Sequence, residues 1–101
     1  MNQRIFDTIS EAIDTLTQEG FKEDFKAGKK RIIASYSKKE YRPKDLKIVE
    51  SHRFEGFTNP DDEALVLAIV AGDGTKGTMV VSYAAEHNQG EELIKEIPFA
   101  G

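Results

Sequence analysis

The stretch that decides the fold is HRFEGFTNPDDEALVLAIVAGDGTKG, residues 52 to 77. Residues 64 to 71 within it are apolar at every position, which is typical of a strand covered on both faces in the middle of a sheet. The next six residues, 72 to 77, contain an Asp-Gly step that favours a tight hairpin turn. The sequence therefore predicts a hairpin in which this buried strand pairs with a returning strand over residues 78 to 84.

Alternating polar and apolar residues predict the other strands. A first hairpin is expected from residues 21 to 26 and 30 to 36, and a longer strand begins at residue 46. Residues 37 to 45 contain Pro43 and are predicted to be an irregular connection. On the longer strand the residues expected to share one face are Leu46, Ile48, Glu50, His52 and Phe54.

An amphipathic helix is predicted over residues 8 to 19, because Ile9, Ala12 and Leu16 recur at helical spacing. Thr8 and Glu11 form a capping-box pattern at its start, and Gly20 suits its C-terminal end. A short C-terminal helix is predicted within residues 91 to 97.

These elements predict one α+β domain over residues 1 to 101, a helix packed on a mainly antiparallel sheet of about five strands. One strong helix covers only one face of the strand at residues 64 to 71. The other face needs either the C-terminal segment from Leu93 to Phe99 or a second subunit. On this ground we predict a homodimer through a sheet face.

The composition excludes several functional classes. Eighteen acidic and fourteen basic residues give a net charge of −4, which argues against nucleic-acid binding. Most basic residues lie in the first half of the chain, interspersed with acids, so a solvated face is expected there and an acidic partner is the alternative. The chain has no cysteine, and it shows neither a signal-peptide pattern nor an apolar run long enough to cross a membrane. We therefore expect a cytoplasmic protein without disulfides, thiolate sites or membrane contact.

His52 is the first candidate site residue, because Glu50 on the same strand face could orient it as a base. The two residues are expected to be about 7 Å apart along the strand, too far for a direct hydrogen bond unless their side chains reach along it. The pattern therefore favours a partly buried structural histidine. His87 lies elsewhere in a loop, and the two histidines do not have metal-ligand spacing.

The acidic residues around the Asn-Pro loop form the second candidate site. Carboxylates there could bind a hard cation, but Asn59 to Asp62 equally suits a turn, and no EF-hand spacing is present. The glycine-rich turn at 72 to 77 lacks the following helix of a phosphate-binding loop. We predict no metal, no cofactor and no catalytic residue. The candidate binding residues are His52, Arg53, Glu55, Asn59, Asp61, Asp62, Asp73 and Lys76.

The chain resembles a family of small bacterial proteins common in Bacteroidetes. The resemblance rests on Arg53 to Gly56, Asn59 to Asp62, Val66 to Val70 and Asp73 to Gly77, and it extends to the helix start and to the Pro43-Lys44-Asp45 turn. It implies a small α+β protein without an assigned activity. Members are often labelled phosphoribosylpyrophosphate synthetase. The chain contains neither substrate loop of that much longer enzyme, and its predicted sheet offers no strand ends to carry them, so the sequence argues against that activity.

The functional hypothesis from the sequence is a non-enzymatic module that binds a ligand or a protein. The alternative is a small enzyme with an acidic and histidine cleft around Glu55 to Glu63. The small-molecule ligand is not identified by any motif.

Overall fold

The computed structural model describes residues 5–54, 64–82 and 90–100. Two α-helices and six strands lie within these residues, together with a 3-10 helix at Pro43–Asp45. In chain order they are α1 (Ile9–Gln18), β1 (Glu23–Ala27), β2 (Ile32–Ala34), β3 (Lys39–Tyr41), β4 (Leu46–Phe54), β5 (Ala64–Ala71), β6 (Lys76–Ser82) and α2 (Gly90–Lys95).

The described strands form one mixed sheet in the order β3-β2-β1-β6-β5-β4. The predicted α+β class is confirmed, but the sheet has six strands instead of about five, and it is mixed because one of its pairs is parallel. β3 lies in the segment predicted to be a connection, since a three-residue strand is too short to show alternation. β1 pairs with β6 in parallel, with Glu23 beside Gly77 and Asp24 beside Thr78. A pairing between such distant segments leaves no local signal in the sequence.

α1 begins and ends as its sequence predicts. The Thr8 hydroxyl accepts a hydrogen bond from the Glu11 amide at 3.0 Å, and the Glu11 carboxylate accepts one from the Asp7 amide at 2.9 Å. Gly20 follows the helix with a φ of 109°, a conformation that glycine adopts at little cost. The helix packs on one face of β5 and β6, where Leu16 and Val66 are fully buried.

The larger core lies on the opposite face of the sheet. Its largest fully buried side chains include Phe25, Ile32, Leu46, Leu67, Ile69 and Met79. Residues from α2 and the C-terminal segment pack against this core, and the Ile48 amide donates to the Pro98 carbonyl at 2.9 Å. The chain itself therefore supplies the cover that the sequence assigned either to residues 93 to 99 or to a second subunit. The homodimer stays a prediction.

A β-bulge divides β4 between Ile48 and Glu50. Ile48 pairs with Ile69 on the side of the larger core, whereas Glu50 pairs with Ala68 and His52 with Val66 on the α1 side. The prediction of one shared face is therefore wrong for the set Leu46, Ile48, Glu50, His52 and Phe54. One extra residue in a strand reverses the facing of all later residues, and the alternation in the sequence continues unbroken through it.

The sheet curves so strongly that its far edge approaches the β5–β6 turn. β3 is three strands away from β6, which would be about 14 Å in a flat sheet. The Tyr41 hydroxyl on β3 nevertheless lies 2.9 Å from the Asp73 carboxylate in the turn. The 3-10 helix then leads from β3 to β4 at the opposite edge, and the Gly72 amide donates to the Asp45 carbonyl at 3.0 Å. Curvature therefore creates a concave end of the molecule around the β5–β6 turn.

Candidate functional site

A groove of about 700 Å³ lies at this concave end. We call it the hairpin-end groove. Its volume falls within the range of small-molecule sites. Its lining residues are the polar Tyr41, Lys44, Asp45, Lys47 and Asp73, the apolar Val70 and Ala71, and Gly72.

Asp73 is held by three donors at one side of the groove. Its carboxylate accepts from the Thr75 amide at 3.0 Å, the Tyr41 hydroxyl at 2.9 Å and the Lys39 ammonium at 3.3 Å. The amide hydrogen bond from Thr75, followed by the hydroxyl hydrogen bond from Tyr41, lowers the pKa of Asp73 well below its ordinary value. The hydrogen bond and charge of the Asp73 carboxylate raise the pKa of Lys39. Asp73 is therefore an ionised carboxylate that fixes the turn and joins it to β3.

The two lysines of the groove are in a different situation. Asp45 is paired with the Arg42 guanidinium at 3.2 Å, and Asp73 with Lys39. Lys44 and Lys47 are exposed, and neither has an ion pair within the part of the chain that the structure describes. The groove therefore presents two ammonium groups beside carboxylates that already have cationic partners.

Glu50 and His52 form a second polar pair, on the α1 side of β4. The Glu50 carboxylate lies 2.5 Å from Nε2 of His52, whose side chain is 8% exposed. The Phe6 ring packs edge-on against the imidazole, with 4.8 Å between centroids. Glu50 and His52 are in direct contact because both side chains reach along the strand, the one case in which their spacing allows it. The burial of His52 agrees with its interpretation as a structural residue.

The structure does not bring the described members of the predicted site together. His52 pairs with Val66, and Asp73 lies beyond Ala71 at the other end of β5. Val66 and Ala71 are about 17 Å apart along the strand. Arg53 faces away from His52 on β4, because successive strand residues point to opposite faces.

Lys76 lies over the Phe21 ring, with its ammonium 5.6 Å from the centroid, on the same side of the sheet as Val70. The remaining predicted site residues, Glu55, Asn59, Asp61 and Asp62, lie outside the described residues. The acidic loop is therefore neither confirmed nor contradicted as a site.

Sequence reasoning missed Tyr41, Lys44 and Lys47 as groove residues. Their only signal was the Pro43-Lys44-Asp45 turn, which indicates a change of chain direction but not what lies beside it. It also missed Glu23, a glutamate at an apolar position of an alternating strand. A glutamate at a position where alternation predicts burial can be noticed in the sequence. It indicates hydrogen-bond partners, because a buried carboxylate without them would be costly.

Among residues 5–54, 64–82 and 90–100, no three histidine or acidic side chains lie together in a way that could hold a metal ion. No helix within these ranges has the length and apolar character to cross a membrane.

No family model, no curated protein and no solved structure matches the chain. The resemblance to small Bacteroidetes proteins therefore stays a prediction.

Proposed function

We propose that this chain is a non-enzymatic binding module and that the hairpin-end groove is its ligand site. The observation that carries the proposal is a cavity of about 700 Å³ whose carboxylates and tyrosine hydroxyl already have partners. Such a groove has room for a small molecule. Its carboxylates stabilise the fold, and its two lysines are available to bind a ligand.

The same groups are poorly suited to acid–base catalysis. A general base works best when its pKa lies near the working pH. The pKa of Asp73 is shifted down, away from neutrality, by the amide of Thr75 and the hydroxyl of Tyr41. That hydroxyl donates a hydrogen bond to the carboxylate, so it is engaged as well. Binding is therefore the function that the groove geometry favours.

Filling the groove tests the proposal. A Cβ added to Gly72 would meet only the Asp45 carbonyl oxygen, at 3.7 Å, so Gly72→Leu is expected to fold. A fragment screen by thermal shift and amide NMR should yield ligands that perturb the amides of Lys44, Lys47 and Gly72. Gly72→Leu should weaken them at least tenfold, whereas Lys30→Leu in the exposed β1–β2 turn should not. Ligands that perturb only other surfaces would refute the assignment.

A second candidate function is an enzyme that uses His52 as a base. The Glu50 contact at 2.5 Å favours it, since a carboxylate fixes the tautomer and orientation of a catalytic imidazole. The proposed cleft around Glu55 to Glu63 would follow β4 in the chain. An activity detected in a broad hydrolase and isomerase screen should be lost in Glu50→Gln and His52→Gln and be unchanged in Lys44→Gln. Equal activity in all three variants would exclude this role for the pair.

The homodimer is proposed as part of the same function. Val49 on β4 is 43% exposed. Phe99, whose backbone forms a parallel bridge with Ile48, is 68% exposed. Two copies could cover this apolar patch by meeting there. Sedimentation equilibrium at millimolar concentration should show a dimer that Val49→Lys dissociates. A monomer at that concentration would contradict the proposal.

A further inference from the structure

We propose that the ligand of the hairpin-end groove carries an anionic oxygen group, a carboxylate or a phosphate, on an apolar body. The anionic group is bound by Lys44 and Lys47. This inference rests on the proposed function, because it names the chemistry of a ligand for the same groove.

The charge balance of the groove leads to an anion. Its two carboxylates, Asp45 and Asp73, each have a cation at 3.2 to 3.3 Å from outside the lining, so their charges are compensated. Lys44 and Lys47 add two charges that no carboxylate of the described chain pairs with. The groove is therefore locally positive in a protein with a net charge of −4. Clefts of one sign concentrate ions of the opposite sign.

The hydrogen-bonding inventory points the same way. An ammonium group donates three hydrogen bonds and accepts none. The Tyr41 hydroxyl is already directed to Asp73. The two lysines can only donate hydrogen bonds to a ligand. Charged oxygen atoms are the acceptors that satisfy these donors best.

The remaining lining indicates the rest of the ligand. Val70 is half-buried and lines the groove, so an apolar side chain lies beside the two lysines. An apolar body packed on Val70 would add hydrophobic burial to the ion pairing. A fully hydrated inorganic ion would gain only the ion pairing.

The basic turn between β1 and β2 provides the contrast. Lys29, Lys30 and Arg31 are also exposed and have no ion pair in the described chain. They lie at the tip of a hairpin, and they are not among the residues that line the groove. A free surface charge of this kind binds anions weakly and without shape selection. The basic turn between β1 and β2 therefore serves as the matched control for the two lysines of the groove.

The experiment compares anionic and neutral probes of the same shape. Phenyl phosphate, benzoate and neutral benzyl alcohol are titrated into labelled protein and followed by amide NMR. Phenyl phosphate or benzoate should perturb the amides of Lys44, Lys47 and Gly72, with affinity about tenfold above that of benzyl alcohol, equal to about 1.4 kcal/mol. The stronger of the two anions identifies phosphate or carboxylate as the preferred group. Binding should weaken as salt is raised.

Paired charge removals separate the possible outcomes. Lys44→Gln combined with Lys47→Gln should lower the affinity about tenfold, and Lys29→Gln combined with Lys30→Gln less than twofold. Equal losses in both double variants would overturn the site, because general charge would explain them. Groove binding of benzyl alcohol as strong as that of the anions would overturn the anionic ligand but keep the proposed function. No groove perturbation by any probe or screened fragment would overturn both.

Discussion

The junction between β1 and β6 and the hairpin end each contain a carboxylate with three hydrogen-bond donors. Glu23 at the junction is 8% exposed and accepts from the amides of Asp24, Tyr36 and Ser37 at 2.8 to 3.1 Å. The side chain of Asp73 at the hairpin end is 42% exposed. Water can replace the partners of Asp73 but not those of Glu23, so similar bonding should have unequal consequences for stability.

The largest effect should come from the closest backbone approach at the junction. A Cβ on Gly77 would collide with the Glu23 carbonyl oxygen and lie 2.7 Å from the carbonyl carbon. Gly77→Ala should therefore lower the free energy of unfolding by about 3 kcal/mol in urea denaturation. Gly72→Ala at the hairpin end, where the added atom meets one oxygen at 3.7 Å, should change it by less than about 0.5 kcal/mol. Equal losses would mean that the junction can move apart.

The second effect concerns the buried carboxylate itself. Glu23→Gln removes the charge and turns an amide NH₂ toward one of the backbone donors, so we expect a loss of about 2 kcal/mol. Asp24→Asn is the control, because within the described residues the Asp24 carboxylate has one partner, the exposed Lys26 ammonium at 3.8 Å. It should change stability by less than about 0.5 kcal/mol. A neutral result for Glu23→Gln would show that the β2–β3 turn holds without the carboxylate.

The third prediction is a pH dependence. Burial by itself raises the pKa of Glu23, but the amide hydrogen bonds from Tyr36, Asp24 and Ser37 outweigh it and lower the pKa from its ordinary value of 4.5. The folded state therefore binds this proton less readily than the unfolded state. The stabilisation is complete above pH 4.5 and is lost as the pH falls from there through the lower folded pKa. Urea unfolding between pH 6 and pH 3 should show this loss in the wild type.

Comparing the wild type with Glu23→Gln shows whether this one carboxylate causes the loss of stability at acid pH. The pH slope of the variant should be smaller than that of the wild type below pH 4.5. Identical slopes would place the acid sensitivity elsewhere, for example at Asp73, whose pKa is also lowered by the Thr75 amide and the Tyr41 hydroxyl.

The smallest effect is expected at the hairpin end. Tyr41→Phe removes the hydroxyl that lies 2.9 Å from Asp73 and 3.1 Å from the Thr75 hydroxyl, at a cost of about 1 kcal/mol. Tyr36→Phe is the control, since Tyr36 is 74% exposed. The two variants differ in thermal unfolding if the hydroxyl joins β3 to the turn. Indistinguishable melting curves would show that packing alone curves the sheet.

The sequence was most informative where neighbours in the chain set the structure. The α1 cap needs only Thr8 and Glu11, and the bounds of β5 are those of the apolar run. It failed at β4, because the bulge after Ile48 becomes visible only when β5 fixes the register. It failed at the site as well, since it grouped His52 with Asp73, which lie near opposite ends of β5.

The sequence by itself determined the helix, the hairpin of β5 and β6, and the burial of β5 on both faces. Periodicity, caps and an Asp-Gly turn act over a few residues and are therefore readable in the chain. Only the tertiary structure decided the parallel pairing of β1 with β6 and the curvature that brings Tyr41 to Asp73, 32 residues away. Contacts of this range depend on how all the strands pack together. The hairpin-end groove is built from such contacts.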